Sequence, residues 1–253
     1  MMLPSILDRK IKEVFVMRCY ITVSLILLFL YSGLGIAADK LILIGKDNPI
    51  NNNDQILMGH LTGLGLDVEY HSEPEKHPVD TKGAVGVFIS ESVTSANIGP
   101  AYDLPIPVIM SEPGLIDDMK MGIGQDAASA TSIEIVDPNH PITKGFNGVV
   151  KVLTQPGVLE CASALEGEAH TLAVLAGDPG MTMLFVYEKG AQMQGQKAPA
   201  RRVFVFNEQN SNPLMNNDGW TIIERAVIWV LSTSASVSYE GTLATSWGAL
   251  KSD

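Results

Sequence analysis

The sequence predicts an α/β protein: a doubly wound, mostly parallel sheet with additional antiparallel strands in its second half. Three observations carry this. The first half alternates short unbroken apolar runs, each closed by Gly or Ser, with a helical period. From Ser132 onward, strand-like runs follow one another with only turn-rich segments between them. A final apolar run, "RRVFVFNE" at 201–208, passes directly into an amphipathic helix.

In chain order, "KLILIG" places four consecutive apolar residues, Leu41 to Ile44, before Gly45, as suits a strand covered on both faces. Asp54 is expected to cap a helix through "DQILMGHLTGLG", where Ile56, Leu57, His60, Leu61 and Leu64 recur at helical spacing before Gly65. "DVEY" at 67–70 alternates, as an edge strand does, and "AVGVFIS" and "PVIMS" supply two more short buried strands. "SIEIV", "VVKVL", "TLAVL" and "MTMLFVY" are the strand-like runs of the second half. Asp218 is expected to cap "GWTIIERAVIWVL", whose Trp220, Ile223, Val227 and Val230 share one face.

The ends of the chain have a different texture. Residues 17–38 place Arg18 before an apolar run from Tyr20 to Tyr31, then small residues with Gly35 and Ala37 spaced as at a cleavage site. The run is shorter than the roughly 20 residues of a membrane span. Residues 1–38 therefore read as a secretory signal, with Met17 the better initiator, and no stable membrane span is expected after its removal. Residues 39–232 form the expected domain. Residues 233–253, rich in Ser, Thr and Gly, read as a loosely ordered tail. An exported location, periplasmic or extracellular, follows from the signal.

Removing residues 1–38 takes out Arg9, Lys10, Lys12 and Arg18 against Asp8 and Glu13, leaving 13 basic and 26 acidic residues, a net of −13. Such a surface repels phosphate backbones, so nucleic acid is not an expected partner. Cys19 leaves with the signal, and Cys161 stands alone in "GVLECASALEG", without an internal disulfide partner, a sharp turn or a nearby base.

In an open parallel sheet the functional crevice lies beyond the carboxyl ends of the strands. The residues expected there are Lys46 and Asp47 after the first strand, and Ser90 and Glu91 after the third. Ser111 and Glu112 follow the fourth, and Asn207 and Glu208 follow the last. Lys46, Asp47, Ser90, Glu91, Ser111 and Asn207 are candidate ligand contacts. Glu112 and Glu208 are candidate acid/base groups, because carboxyls sharing a cleft push their pKa values apart. The serines also suit a structural role, satisfying backbone donors at strand ends. Ser111 does not fit a nucleophile elbow: Ile109 stands two residues before it, and Pro113 two residues after it has no N–H. No loop shows the ligand spacing of a calcium site, so neither metal nor cofactor is expected.

Among five histidines, His60, His71, His77 and His170 fit packing, turn or surface roles. His140 differs, because "DPNHPITKGF" surrounds it with Asp137, Pro138, Pro141 and Gly145, a rigid turn able to present the imidazole in a fixed direction. It is a candidate assisting group if the protein is an enzyme.

"DPNHPITKGF" resembles the HPIT-x-G segment of the trehalose-utilisation (ThuA-like) proteins of the class I glutamine amidotransferase-like superfamily. The stretch "ARRVFVFNEQNSNPLMNNDGWTIIERAVIWVL" is similar to that family's closing strand, loop and helix, and the resemblance spans most of residues 40–232. It implies a flavodoxin-like sheet with extra strands. It also implies a cysteine at the elbow after the fourth strand, where this chain has Ser111 or Glu112, and a Gly-His pair after the closing strand, where it reads Gln209-Asn210.

The expectation is therefore an exported, catalytically degenerate amidotransferase-like module binding a carbohydrate-related ligand or a protein partner. The rival is an active extracytoplasmic ThuA-like enzyme using Glu91, Glu112 or Glu208 on a sugar, with His140 assisting. A structural domain docking other secreted proteins is the third reading.

Overall fold

The computed structural model describes residues 38–73, 81–98, 101 and 103–232, with residues 125–128 described by their backbone alone. The expected signal segment, the tail from 233 and His77 lie outside them. No helix among the described residues is long and apolar enough to cross a membrane.

Five strands form the parallel half of the sheet. β1 (Lys40–Gly45) lies between β2 (Asp67–Ser72) and β3 (Gly86–Ile89); β3 pairs with β4 (Val108–Met110), and β4 with β13 (Arg202–Phe204), all parallel. β2 is the edge, as the alternating "DVEY" predicts. The second half extends the same sheet antiparallel through β10 (Asp178–Tyr187), β9 (His170–Leu175), β6 (Ser132–Ile135) and β7 (Gly148–Lys151). A branch from β10 adds β8 (Gly157–Leu165) and then β5 (Gly122–Ala130), and β11 (Gln192–Met193) and β12 (Gln196–Lys197) form a separate small hairpin. The predicted α/β class with antiparallel additions is the observed one.

The period of two along each strand sends alternate side chains to two cores. Leu41, Leu43, Phe88, Ile109 and Val203 face both helices, α1 (Asn52–Gly63) and α2 (Asn217–Leu231), meeting Leu57 and Leu61 of the first and Ile223, Val227 and Val230 of the second. Ile42, Ile44, Val87, Ile89, Val108, Met110 and Phe204 face the other way, against Val93, Ile98, Leu115, Ile116, Met119 and Met121. Among the described residues that second face is covered by turns, loops and the short 3-10 turn Pro113–Leu115. Each fully buried large aliphatic side chain contributes about 1.5–3 kcal/mol of transfer free energy, which explains why these short strands hold their register.

Both expected helix caps move by a few residues. Asn51, not Asp54, caps α1: its Oδ1 accepts the Asp54 N–H at 2.8 Å. The Asp54 carboxylate is committed elsewhere, as described below. Asn216, not Asp218, caps α2, accepting the Gly219 N–H at 3.0 Å, while Asp218 stands exposed in the first turn, where its charge complements the helix dipole.

Two further features fix the ends of the strands. Arg202 is wholly buried at the start of β13, and its guanidinium donates to the carbonyls of Leu104 (2.6 Å), Ile106 (3.0 Å), Arg201 (3.1 Å) and Ala200 (3.2 Å). Burial pushes its pKa down to about 10, which leaves it charged at neutral pH. It staples the approach to β4 onto β13. On β5, Gly124 passes so close to the turn after β4 that a Cβ there would lie 1.8 Å from the Pro113 carbonyl oxygen.

Candidate functional site

The carboxyl ends of the parallel strands, where a crevice is expected, carry polar side chains in two layers. The inner layer centres on Asp54, a fully buried aspartate in the first turn of α1. Its Oδ1 accepts the Ser90 hydroxyl at 2.6 Å, and its Oδ2 accepts the Ser92 hydroxyl at 2.6 Å and the Asn51 amide at 2.8 Å. The serines relay onward: Ser90 Oγ accepts the Ser92 N–H, and Ser92 Oγ accepts the Lys46 N–H, both at 3.2 Å. Gly45 makes room for this, since a Cβ there would fall 2.5 Å from Asp54 Oδ2. The arrangement ties the ends of β1 and β3 to the start of α1 through the Ser90 and Ser92 hydroxyls.

The outer layer is carboxylic. Glu91 receives the Gln209 N–H on Oε2 at 3.0 Å, while its own N–H donates to Ser111 Oγ at 3.0 Å. Burial pushes the Glu91 carboxyl up to about 7; the Gln209 N–H opposes this, and the charges of Glu208 and Glu112 and a hydrogen bond shared with Glu208 add to it. Glu208 is 6% exposed and accepts the Asn210 amide at 2.6 Å. Glu112 is half-buried, and its Oε1 accepts the Gly114 N–H at 2.9 Å, capping the short turn Pro113–Leu115. Burial and these neighbours thus favour the protonated Glu91 carboxyl, which can donate a hydrogen bond.

Asn207 lies at the floor of this group, 1% exposed. Its amide donates to Asn212 Oδ1 at 3.2 Å, and its Oδ1 has no hydrogen-bond partner among the described residues. Asn212 in turn donates to the Asn53 carbonyl at 3.3 Å, and Asn53 to Asn210 Oδ1 at 3.3 Å, so the turn Gln209–Leu214 is fastened to the start of α1.

Of the predicted residues, Ser90, Glu91, Ser111, Glu112, Asn207 and Glu208 fall into these two layers. Lys46 and Asp47 follow β1 as expected but are exposed at the rim, where Asp47 Oδ2 takes the Asn51 amide at 3.2 Å. Ser111 is fully buried, and the turn after β4 lacks the strained backbone of a nucleophile elbow: Lys120 is the non-glycine residue with positive φ among those described. The cap of that turn is Glu112, not Ser111.

His140 is not brought to the crevice. It packs beside Trp229 near the C-terminal end of α2, at a ring distance of 5.0 Å, and feels Arg201 just before β13, whereas Asn207 and Glu208 follow that strand. His60 stacks on Trp220 at 3.7 Å and bonds Glu224, and His71 pairs with Glu69. Cys161 is fully buried in β8 within the helix-side core. Among the described residues no three His, Cys, Asp or Glu side chains are grouped to hold a metal ion.

The site residue that sequence reasoning missed is Asp54, read there only as a cap. The signal was present: Asp54, Leu57 and Leu61 recur at i, i+3 and i+7, so an aspartate occupies the buried stripe of its helix.

No protein-family model matches the chain, and no curated protein sequence matches it. Among solved structures, a protein assigned as a GMP synthase component, from Thermoplasma acidophilum, superposes over 78% of this chain and 95% of its own, at 12% identity and a TM-score of 0.55. A glutamine amidotransferase from Thermotoga maritima covers 67% of this chain and 75% of its own at 10% identity, with a TM-score of 0.44, too low an overlap to carry an argument by itself. At such identities the likeness speaks to architecture alone. The chain therefore shares with the Thermoplasma protein a mixed α/β fold, here a parallel sheet extended by antiparallel strands.

Proposed function

We propose that this chain is an exported, catalytically degenerate binding module on the amidotransferase fold, whose strand-end crevice takes a carbohydrate-related ligand or a partner protein. The observation that carries the reading is the outer layer: Glu91, raised to about 7, sits against buried Glu208 and half-buried Glu112. A donor-capable carboxyl beside two acceptors matches the paired donor and acceptor character of vicinal hydroxyls. Against glutaminase chemistry stand the buried Ser111 at the turn after β4, whose hydroxyl accepts a backbone N–H, and the placement of Cys161 inside β8. The resemblance to ThuA-like proteins supports the carbohydrate element of the proposal.

The test is thermal unfolding of the protein against mono- and disaccharides, their keto derivatives, glutamine and divalent cations. A ligand at 100 times its dissociation constant stabilises the native state by about 2.7 kcal/mol. The proposal expects a raised midpoint with a sugar, abolished in Glu112→Gln and Glu208→Gln variants that keep their fold. The absence of any shift would move the reading to a domain that docks another secreted protein.

One observation favours the rival enzyme reading. Glu91 is raised by burial and its neighbours, the divergence that acid/base chemistry on a sugar requires. Turnover of the sugar that shifts the midpoint, lost in Glu91→Gln with binding retained, would establish it in place of the binding module.

A further inference from the structure

The turn that carries His140 is a part of the sequence the strand-end group does not use, and it packs on the C-terminal half of α2. Residues 137–146 leave β6 and fold back on themselves: the Asn139 N–H donates to Asp137 Oδ1 at 2.9 Å, the Thr143 and Lys144 N–H groups to the His140 carbonyl at 3.0 and 2.8 Å, and the buried Thr143 hydroxyl to the Asp137 carbonyl. The turn is held to α2 at two points. Arg225 donates to the Lys144 carbonyl at 2.6 Å with its guanidinium over the Phe146 ring, and the His140 ring lies against Trp229.

His140 Nδ1 accepts the Ile142 N–H at 3.3 Å. A nitrogen that accepts a hydrogen bond carries no proton, so this geometry exists only with the imidazole neutral and its proton on Nε2. Charged and titratable groups face the ring from each element packed on it. Asp137 comes from its own turn and His170 from the start of β9, its ring edge-on at 5.7 Å with Nε2 3.1 Å from Asp137 Oδ2. Glu188 comes from the segment after β10 and Arg201 from the residue before β13, the latter with its guanidinium 4.1 Å over Trp229 and paired to Glu188 at 2.7 Å. From α2 come Trp229 and, one turn back, Arg225. The Asp137 carboxylate is shared with His170 and that of Glu188 with Arg201, so each nearby carboxylate already has a partner when a charge forms on His140.

We propose that residues 137–146 form an acid-released latch on the C-terminal end of α2, with His140 as its titrating pin. Protonation of Nδ1 removes the acceptor for Ile142 and places an imidazolium beside His170 and Arg201. The turn then frees the ring to water and uncovers Trp229. The direction of the His140 pKa agrees: burial first and then His170 lower it, with the carboxylates of Asp137 and Glu188 opposing and Arg201 adding to the lowering. For a latched state that excludes the proton, the ratio of latched to released molecules falls about tenfold per pH unit below the ordinary imidazole pKa of about 6.5.

The experiment is amide hydrogen exchange of the protein from pH 7.5 to 4.5, with protection factors corrected for the intrinsic exchange rate. Protection of Ile142 and Lys144 is expected to fall by about tenfold per pH unit below about 6.5, while that of β1 and β3 does not fall. His140→Gln, whose Oε1 can accept the Ile142 N–H without titrating, should remove the slope. His140→Phe, which keeps ring packing without an acceptor, should lower Ile142 protection at every pH and also remove the slope. Ile142 protection that does not change with pH in the native protein, or a slope that persists in either variant, overturns the latch.

Discussion

Replacing Glu91 by glutamine should make the protein more stable above neutral pH and change it little in acid. Glu91 has its carboxyl pKa raised from 4.5 to about 7 in the folded chain. Between those values the native state holds a proton that the unfolded chain has released, so its contribution is fully present below about 4.5 and is lost as pH rises through about 7. A shift of that size corresponds to at most about 3 kcal/mol at about 1.36 kcal/mol per unit, and water reaching a partly exposed carboxyl reduces this to about 1–2 kcal/mol. Glutamine keeps an acceptor for the Gln209 N–H and a donor for Glu208 without ever ionising. Urea unfolding at pH 4.5, 6, 7.5 and 8.5 is the assay. The native protein should lose about 1–2 kcal/mol relative to Glu91→Gln across the series, appearing as a midpoint difference of about 2–8 °C in parallel thermal melts. Parallel curves for the two proteins, or a variant less stable at pH 8.5, would refute the claim that Glu91 is held protonated by burial and by Glu208 and Glu112.

Three further outcomes follow from buried polar groups. Asp54→Ala leaves the Ser90 and Ser92 hydroxyls and the Asn51 amide without their shared acceptor and should cost about 3–5 kcal/mol in urea unfolding, as for a buried charged group whose partners are stranded. Arg202→Met strands four backbone carbonyls and should cost about 3 kcal/mol, with hydrogen exchange accelerating first in β4 and β13. In a Cys19→Ser background Cys161 is the single thiol, and its reaction with a disulfide reagent should be limited by unfolding because the side chain is fully buried; rapid labelling under native conditions would contradict its place in β8.

The parallel half of this fold was legible from local sequence. Unbroken runs such as Leu41–Ile44 and Val108–Met110 have no polar face to turn to solvent, so they belong between two covers, and the alternation in "DVEY" marks an edge. The ends of those runs also marked this polar group, because strand direction alone places Ser90, Glu91, Ser111, Glu112, Asn207 and Glu208 on one side. β5 was not legible: "GIGQDAASA" is made largely of small and polar residues, and its pairing to β8 is broken by register shifts between Ile123 and Gly124 and between Gln125 and Ala128.

What each crevice residue does depends instead on contacts between distant parts of the chain. Spacing makes Asp54 and Asp218 equally good caps, yet Asn51 and Asn216 hold those positions, and Asp54 turns inward because two serines from another strand end offer it hydroxyls. The rigid turn around His140 was visible in "DPNHPITKGF", but its location was not, since which end of α2 a loop covers depends on the antiparallel path of β6, β7 and β9. The pairing of Glu91 with Glu208, more than a hundred residues apart in sequence, likewise arises only when β13 inserts beside β4. Local sequence fixes which residues end a strand, and long-range packing fixes which of them meet and so how far burial and neighbouring charges shift a carboxyl such as Glu91.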